Sequence, residues 1–146
     1  FWPGSEAEIG GYRPDIYEVF SDTVSHKTRV NGVLNWLNMD ADSRPRFITL
    51  YFSKVDSEGH WKGPVSSELK DEIEDIDASL ETLIQGIEDQ GKTDLVNLMI
   101  VSDHGMAQLS RDSCIFLDDY IDVFDDVTIL NYSPVLDLFP NDGKFD

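Results

Sequence analysis

The chain has 146 residues and a formal net charge of −18, from 29 aspartates and glutamates against 11 lysines and arginines. That length suits one modest domain with a real core. So acidic a surface repels polyanions and argues against nucleic-acid binding through a basic patch, while 40% hydrophobic residues set the chain apart from a disordered one.

The sequence begins at Phe1 rather than a methionine and stops at "NDGKFD" after an apolar segment, so it reads as a piece of a longer protein. It has no signal peptide, polybasic anchor or apolar run of about 18 residues. For a piece, that says nothing of how the parent is targeted. Cys114 is the sole cysteine, so neither an internal disulfide nor a thiolate zinc cluster can form. It reads as a buried free thiol or as half of a bridge to a cysteine elsewhere in a secreted parent.

In chain order, "FWPGSEAEIGGYRPD" is an ordered loop punctuated by Pro3, Gly4, Gly10, Gly11 and Pro14. From about Ser25 to Leu37, Val30, Val33, Leu34 and Leu37 mark one face of a helix, with His26 on its surface. "RFITLYF" (Arg46–Phe52) is short, apolar and rich in β-formers, which predicts a strand. "SKVDSEGHWKGP" follows as a loop.

The strongest helix is "SSELKDEIEDIDASLETLIQGIEDQG", with Leu69, Ile73, Ile76, Leu80, Leu83, Ile84 and Ile87 on one stripe. Ser66 or Ser67 can cap its start and Gly91 can end it. "LVNLMIV" (Leu95–Val101) is a second buried strand, and "VTIL" and "PVLDLF" are two short ones. The acidic tract "LDDYIDVFDDV" lacks the glycine and acid spacing of a calcium loop. Strand, long helix, strand is a βαβ unit, whose two strands should be parallel with a right-handed crossover. The expected fold class is α/β: a partial, mostly parallel sheet with flanking helices, extending beyond this chain.

Sites in such sheets gather at the carboxyl ends of the strands. The first strand feeds Asp56 and His60 in "VDSEGH", and the second feeds Asp103 and His104 in "SDHGM". Carboxylate oxygen and imidazole nitrogen together suit Zn²⁺ at about 2.0–2.2 Å. Two zinc ions roughly 3.5–4 Å apart can clamp the attacking and leaving oxygens of a phosphoryl group. Each pair alone is weak, since Asp and His often share a solvated loop, and a buried His104 capped by a carboxylate is the structural alternative. Both pairs at equivalent strand ends strengthen each other. Gly59 and Gly105 should permit close backbone approach or positive φ beside them.

The phrases "FWPGSEAEI", "RPRFITLYF", "VDSEGHWKGP", "VNLMIVSDHGMAQ" and "SPVLDLFP", in that order, closely resemble the nucleotide pyrophosphatase/phosphodiesterase family of the alkaline phosphatase superfamily. The resemblance spans nearly the whole chain and implies that residues 1–146 are part of one catalytic domain of alkaline-phosphatase-like fold, incomplete at both ends. It implies two zinc ions, the first bound by Asp56 and His60 and the second by Asp103 and His104. A threonine or serine nucleophile and a further aspartate would lie upstream of Phe1, and a third histidine downstream of Asp146. The implied reaction is two-step hydrolysis through a covalent phospho-enzyme intermediate, releasing nucleoside 5′-monophosphates, with the metals as Lewis acids and generators of the nucleophiles. The isolated piece should be inactive.

By the same resemblance Phe20 takes the place of a base-stacking tyrosine, and Trp2, Glu6 and Tyr51 match other pocket-lining positions. Trp2 and Tyr51 read equally as core aromatics, and Glu6 as a loop acid. The chain departs from the family at "SKVD", where an acidic pair and a proline commonly stand; Lys54 and Val55 should shift substrate preference without costing the ligand. The implied substrate is a nucleotide or dinucleotide phosphodiester. Alternatives are a phospholipid or choline-ester phosphodiesterase of the same family, and a non-catalytic binding relative. Family members mostly face outside the cell, secreted or membrane-anchored. "NYS" at Asn131–Ser133 fits a glycosylation acceptor, although Pro134 follows.

Overall fold

The computed structural model describes residues 2–144, so Phe1, at the head of the first loop, lies outside the described residues. The chain forms two compact units, Phe1–Gln108 and Leu109–Asp146.

The first unit is built on three helices. Helix α1 (His26–Leu37) starts where the Ser25 side chain accepts a hydrogen bond from the Thr28 N–H. Helix α3 (Ser67–Asp89) is capped in the same way, Ser66 Oγ accepting from Leu69 N–H at 3.2 Å. Its end is closed by Gly91 at φ 64°, which lets Gly91 N–H reach the Glu88 carbonyl and Lys92 N–H the Ile87 carbonyl. Both helices follow the sequence periodicity. Val30, Val33 and Leu37 of α1 bury against Leu83 and Ile87 of α3. Gly86 sets how near the two come: a Cβ there would lie 2.5 Å from Leu34 Cδ1.

The unit departs from expectation in several places. The segment after Phe52 is a helix, α2 (Lys54–Lys62), not a loop. Its glycine and small polar residues hide it, but Gly59 is buried there because a Cβ would meet Met106 Sδ at 2.5 Å. The close approach expected at Gly59 is therefore present. At Gly105 nothing lies within 4 Å and φ is not positive, so that expectation does not hold.

The sheet is a further point of difference. Among the described residues Arg46–Phe52 and Leu95–Val101 pair with no strand. The first still alternates as a strand should: Ile48, Leu50 and Phe52 pack on the α1/α3 core. Met99, Ile100 and Val101 stay exposed. A strand buried on both faces needs neighbours on either side and a layer above and below; the described residues supply one layer. The placement of His26 also reverses. It is buried at 5% exposure, its ring edge-on to Phe52 at 5.0 Å.

In the second unit β1 (Val127–Asn131) and β2 (Asp137–Pro140) form an antiparallel hairpin near the expected positions, with a bulge between Ile129 and Asn131. Asn131 Nδ2, the atom glycosylation would take, donates to the Ser133 and Val135 carbonyls. Cys114 is exposed and free rather than buried.

The acidic tract serves its own turns. Asp122 Oδ1 accepts from Phe124 and Asp125 N–H, and Asp126 Oδ2 accepts from Asp122 N–H. Lys144 Nζ clasps Asp125 and, at 3.0 Å, Asp126. The Lys144 hydrogen bond, then the one from the Asp122 backbone, holds the Asp126 carboxyl below its usual value. A depressed carboxylate adds stability above its unfolded pKa, and loses it as pH falls through the folded one. Titrating the Asp126 carboxyl carbon by NMR should therefore give a midpoint below 3.8, moving up toward 3.8 in Lys144→Ala. Equal midpoints in the two proteins would rule out the clasp.

Candidate active site

The alternation that sends Ile48, Leu50 and Phe52 into the core sends Tyr51 to the other side. There its ring centroid lies 5.0 Å from Trp2 and 5.8 Å from Phe20, both tilted. Three of the four residues expected to line a substrate pocket are thus brought together. Glu6 is not placed with them by any described contact. Its carbonyl accepts from Arg13 Nη1 at 2.6 Å, and its buried Oε2 has no hydrogen-bond partner.

Helix α2 begins immediately after this segment. Asp56 falls in its first turn and His60 one turn later, which puts both on one face. Asp56 Oδ1 stands 3.3 Å from His60 Nε2. The segment that ends at Val101 delivers the second pair: His104 Nε2 lies 3.8 Å from Asp56 Oδ1 and 3.8 Å from Asp103 Oδ2. Four residues from two stretches of sequence therefore meet, with Asp56 between the two imidazoles.

The His104 ring is oriented by the carbonyl of the next residue. His104 Nδ1 lies 3.0 Å from the Gly105 carbonyl. An N–H donated there leaves Nε2 with its lone pair free, the pattern of a metal-binding histidine oriented by a carbonyl. That hydrogen bond, followed by the charges of Asp103 and Asp56, raises the His104 pKa above its ordinary value. Asp103 Oδ1 accepts from His104 N–H at 3.1 Å, leaving Oδ2 turned to the imidazole. Asp56 Oδ1 is buried with no hydrogen-bond partner. A buried carboxylate oxygen facing two imidazole nitrogens, with no donor of its own, fits a divalent cation. The donor set, oxygen and nitrogen without sulfur, suits zinc. Among the described residues these four do not close into a cage for a single ion; His26, Glu72 and Asp75 are the one trio of metal-type side chains whose donor atoms all lie within 4.8 Å of one another.

The field at the aromatic trio is negative. Burial, then Asp103, Asp56 and Asp22, pushes the Tyr51 hydroxyl's pKa up. Asp22 is missing from the sequence reading. Ser53 Oγ donates to its Oδ1 at 2.9 Å. Phe20 meets Tyr51, and two residues further on Asp22 meets Ser53, so the period of two along both stretches was the available signal. Arg29 is the other omission: its guanidinium carbon sits 5.1 Å over the Phe20 ring.

Known proteins share this frame. A family model described as "Type I phosphodiesterase / nucleotide pyrophosphatase" matches residues 1–146. The chain is 40% identical over 142 residues to mouse ectonucleotide pyrophosphatase/phosphodiesterase family member 1, covering 97% of this chain and 16% of that protein. It is 39% identical over 125 residues to the venom phosphodiesterase of Macrovipera lebetinus, covering 86% of this chain and 15% of that protein. Among solved structures, an inactive threonine-to-alanine variant of murine ectonucleotide pyrophosphatase/phosphodiesterase 5 in complex with AMP superposes with a TM-score of 0.83 at 34% identity, over 99% of this chain and 38% of that one. The chain thus spans less than a fifth of the curated relatives it matches. Over that span the chain belongs to the type I phosphodiesterase / nucleotide pyrophosphatase family.

Proposed function

We propose that the protein containing this chain is a two-zinc phosphodiesterase that hydrolyses nucleotide pyrophosphate or phosphodiester bonds and releases nucleoside 5′-monophosphates. In this reading residues 1–146 are part of one catalytic domain on a mostly parallel sheet. Asp56 and His60 would hold one zinc, and Asp103 and His104 the other. The observation that carries it is the buried, unpartnered Asp56 Oδ1 between His60 and His104. Bound zinc would offset phosphate charge and acidify a hydroxyl or water.

The chain's own residues would do the rest. The Gly105 carbonyl holds the Nδ1 proton of His104 and so keeps the Nε2 lone pair outward. Trp2, Phe20 and Tyr51 offer a face for a nucleobase, beside the carboxylates of Asp56 and Asp103. A nucleophile supplied from outside this chain would carry the covalent intermediate; the inactive threonine-to-alanine relative, seen with AMP, supports both that threonine and a nucleotide as substrate. The "ecto" and "venom" names of the relatives support a place outside the cell. Among the described residues no helix is long and apolar enough to cross a membrane.

The test is turnover by the full-length protein of a dinucleotide and of a choline phosphodiester, before and after Phe20→Ala. Stacking on one aromatic face is worth roughly 1–3 kcal/mol per base. The KM for the dinucleotide should rise about tenfold or more with kcat little changed. An unchanged KM, or a preference for the choline ester, would overturn the nucleotide reading.

A further inference from the structure

A second cluster of metal-type side chains lies between α1 and α3, apart from the four residues above. His26 opens α1 with its side chain 4% exposed. Glu72 and Asp75 lie one turn apart on α3 and face it from the same side. His26 Nδ1 is 2.9 Å from Asp75 Oδ2, and Nε2 is 3.3 Å from Glu72 Oε1. One donor atom from each residue lies within 4.8 Å of the other two.

The protons do not balance by themselves. A neutral imidazole has one N–H. Given to Asp75, it leaves the Nε2 lone pair facing Glu72 Oε1, a buried oxygen with no hydrogen-bond partner. Two lone pairs facing each other out of water repel, so a positive charge belongs between them. A proton shared there would draw the atoms to about 2.7–2.9 Å. Two donors on a tetrahedral zinc with bonds of about 2.0–2.2 Å stand roughly 3.3–3.6 Å apart. The 3.3 Å between His26 Nε2 and Glu72 Oε1 falls within the range for two donors on one cation. Asp75 then takes the place of the carboxylate that orients a metal-bound histidine through its other nitrogen. The Glu72 side chain keeps 14% of its surface exposed, the side from which water can complete the coordination.

From this juxtaposition we infer that His26 and Glu72, with Asp75 holding the His26 ring, form a further divalent-cation site of zinc type that ties α1 to α3. With two protein ligands it binds more weakly than a closed structural site. The full-length protein, equilibrated with micromolar zinc and analysed for metal, should hold one more equivalent than its His26→Gln and Glu72→Gln variants. Equal zinc in folded variants and wild type overturns the site. Should both variants unfold, hydrogen exchange at the His26 ring carbon, followed by mass spectrometry, decides on the wild-type protein. Added zinc should slow that exchange severalfold, and an exchange rate indifferent to zinc identifies the cluster as a proton-held ion pair only, which also overturns the site.

Discussion

Replacing Asp56 with asparagine should lower kcat/KM of the full-length protein by about a thousandfold or more and strip at least one equivalent of zinc. The size follows from the chemistry at stake. Charge stabilisation by a bound metal is worth several kcal/mol in the transition state, and each 1.36 kcal/mol is about tenfold in rate. The position follows from geometry: Asp56 Oδ1 is 3.3 Å from His60 Nε2 and 3.8 Å from His104 Nε2, so it borders both halves of the site. Asparagine keeps the shape and loses the charge. The fold should survive, because that oxygen has no hydrogen-bond partner to abandon. Its loss from the first turn of α2 costs at most about 1 kcal/mol of helix-dipole interaction. Metal content by elemental analysis and steady-state kinetics check both parts. Full zinc occupancy with undiminished turnover would remove Asp56 from the ligand set.

The pairs of the site were legible because their chemistry is local. Asp56 and His60 are four residues apart and Asp103 and His104 are adjacent, so each pair could be read without knowing the fold. That they meet required knowing where two distant segments run. The supporting residues were less accessible. Asp22 and Ser53 are ordinary surface types, and only their parity with Phe20 and Tyr51 marks them. His26 was misplaced because helical periodicity sees apolar residues; a histidine buried by two carboxylates from another helix leaves no trace in its own stretch.

Helices α1 and α3 were readable from a stripe and a cap, which are properties of a single segment. Helix α2 was not, because it is short and glycine-containing, and its burial depends on Met106 lying against Gly59. The stretches Arg46–Phe52 and Leu95–Val101 have strand composition. Pairing, however, belongs to two segments at once, and the described residues provide no partner.

Arg29→Met should lower the melting temperature of the unit that contains it by about 12–24 °C, the equivalent of roughly 3 kcal/mol in a unit of this size. Arg29 is 2% exposed, and burial depresses its pKa against the opposing pull of Asp22. It remains charged, because a guanidinium keeps its proton throughout the physiological range. That buried charge is used. Nη2 donates to the Ser21 carbonyl at 2.7 Å and Nε to the Val24 carbonyl at 3.2 Å. The guanidinium also covers the Phe20 ring.

Hydrogen bonds to charged groups contribute about 1.5–3 kcal/mol each, and a cation over an aromatic face about 0.5–2. Ser21 and Val24 are half-buried, so water can recover part of the loss. Methionine fills the stem's volume, which separates the polar loss from cavity formation. The same change frees the turn that carries Phe20, so KM for a nucleotide should rise while kcat holds. Lysine should restore little of either, since one ammonium cannot reproduce the fork that reaches both carbonyls and covers the ring. Thermal unfolding and kinetics of Arg29→Met and Arg29→Lys test this together. A methionine variant within about 2 °C of wild type, well below the predicted shift, would show that the turn holds without the guanidinium.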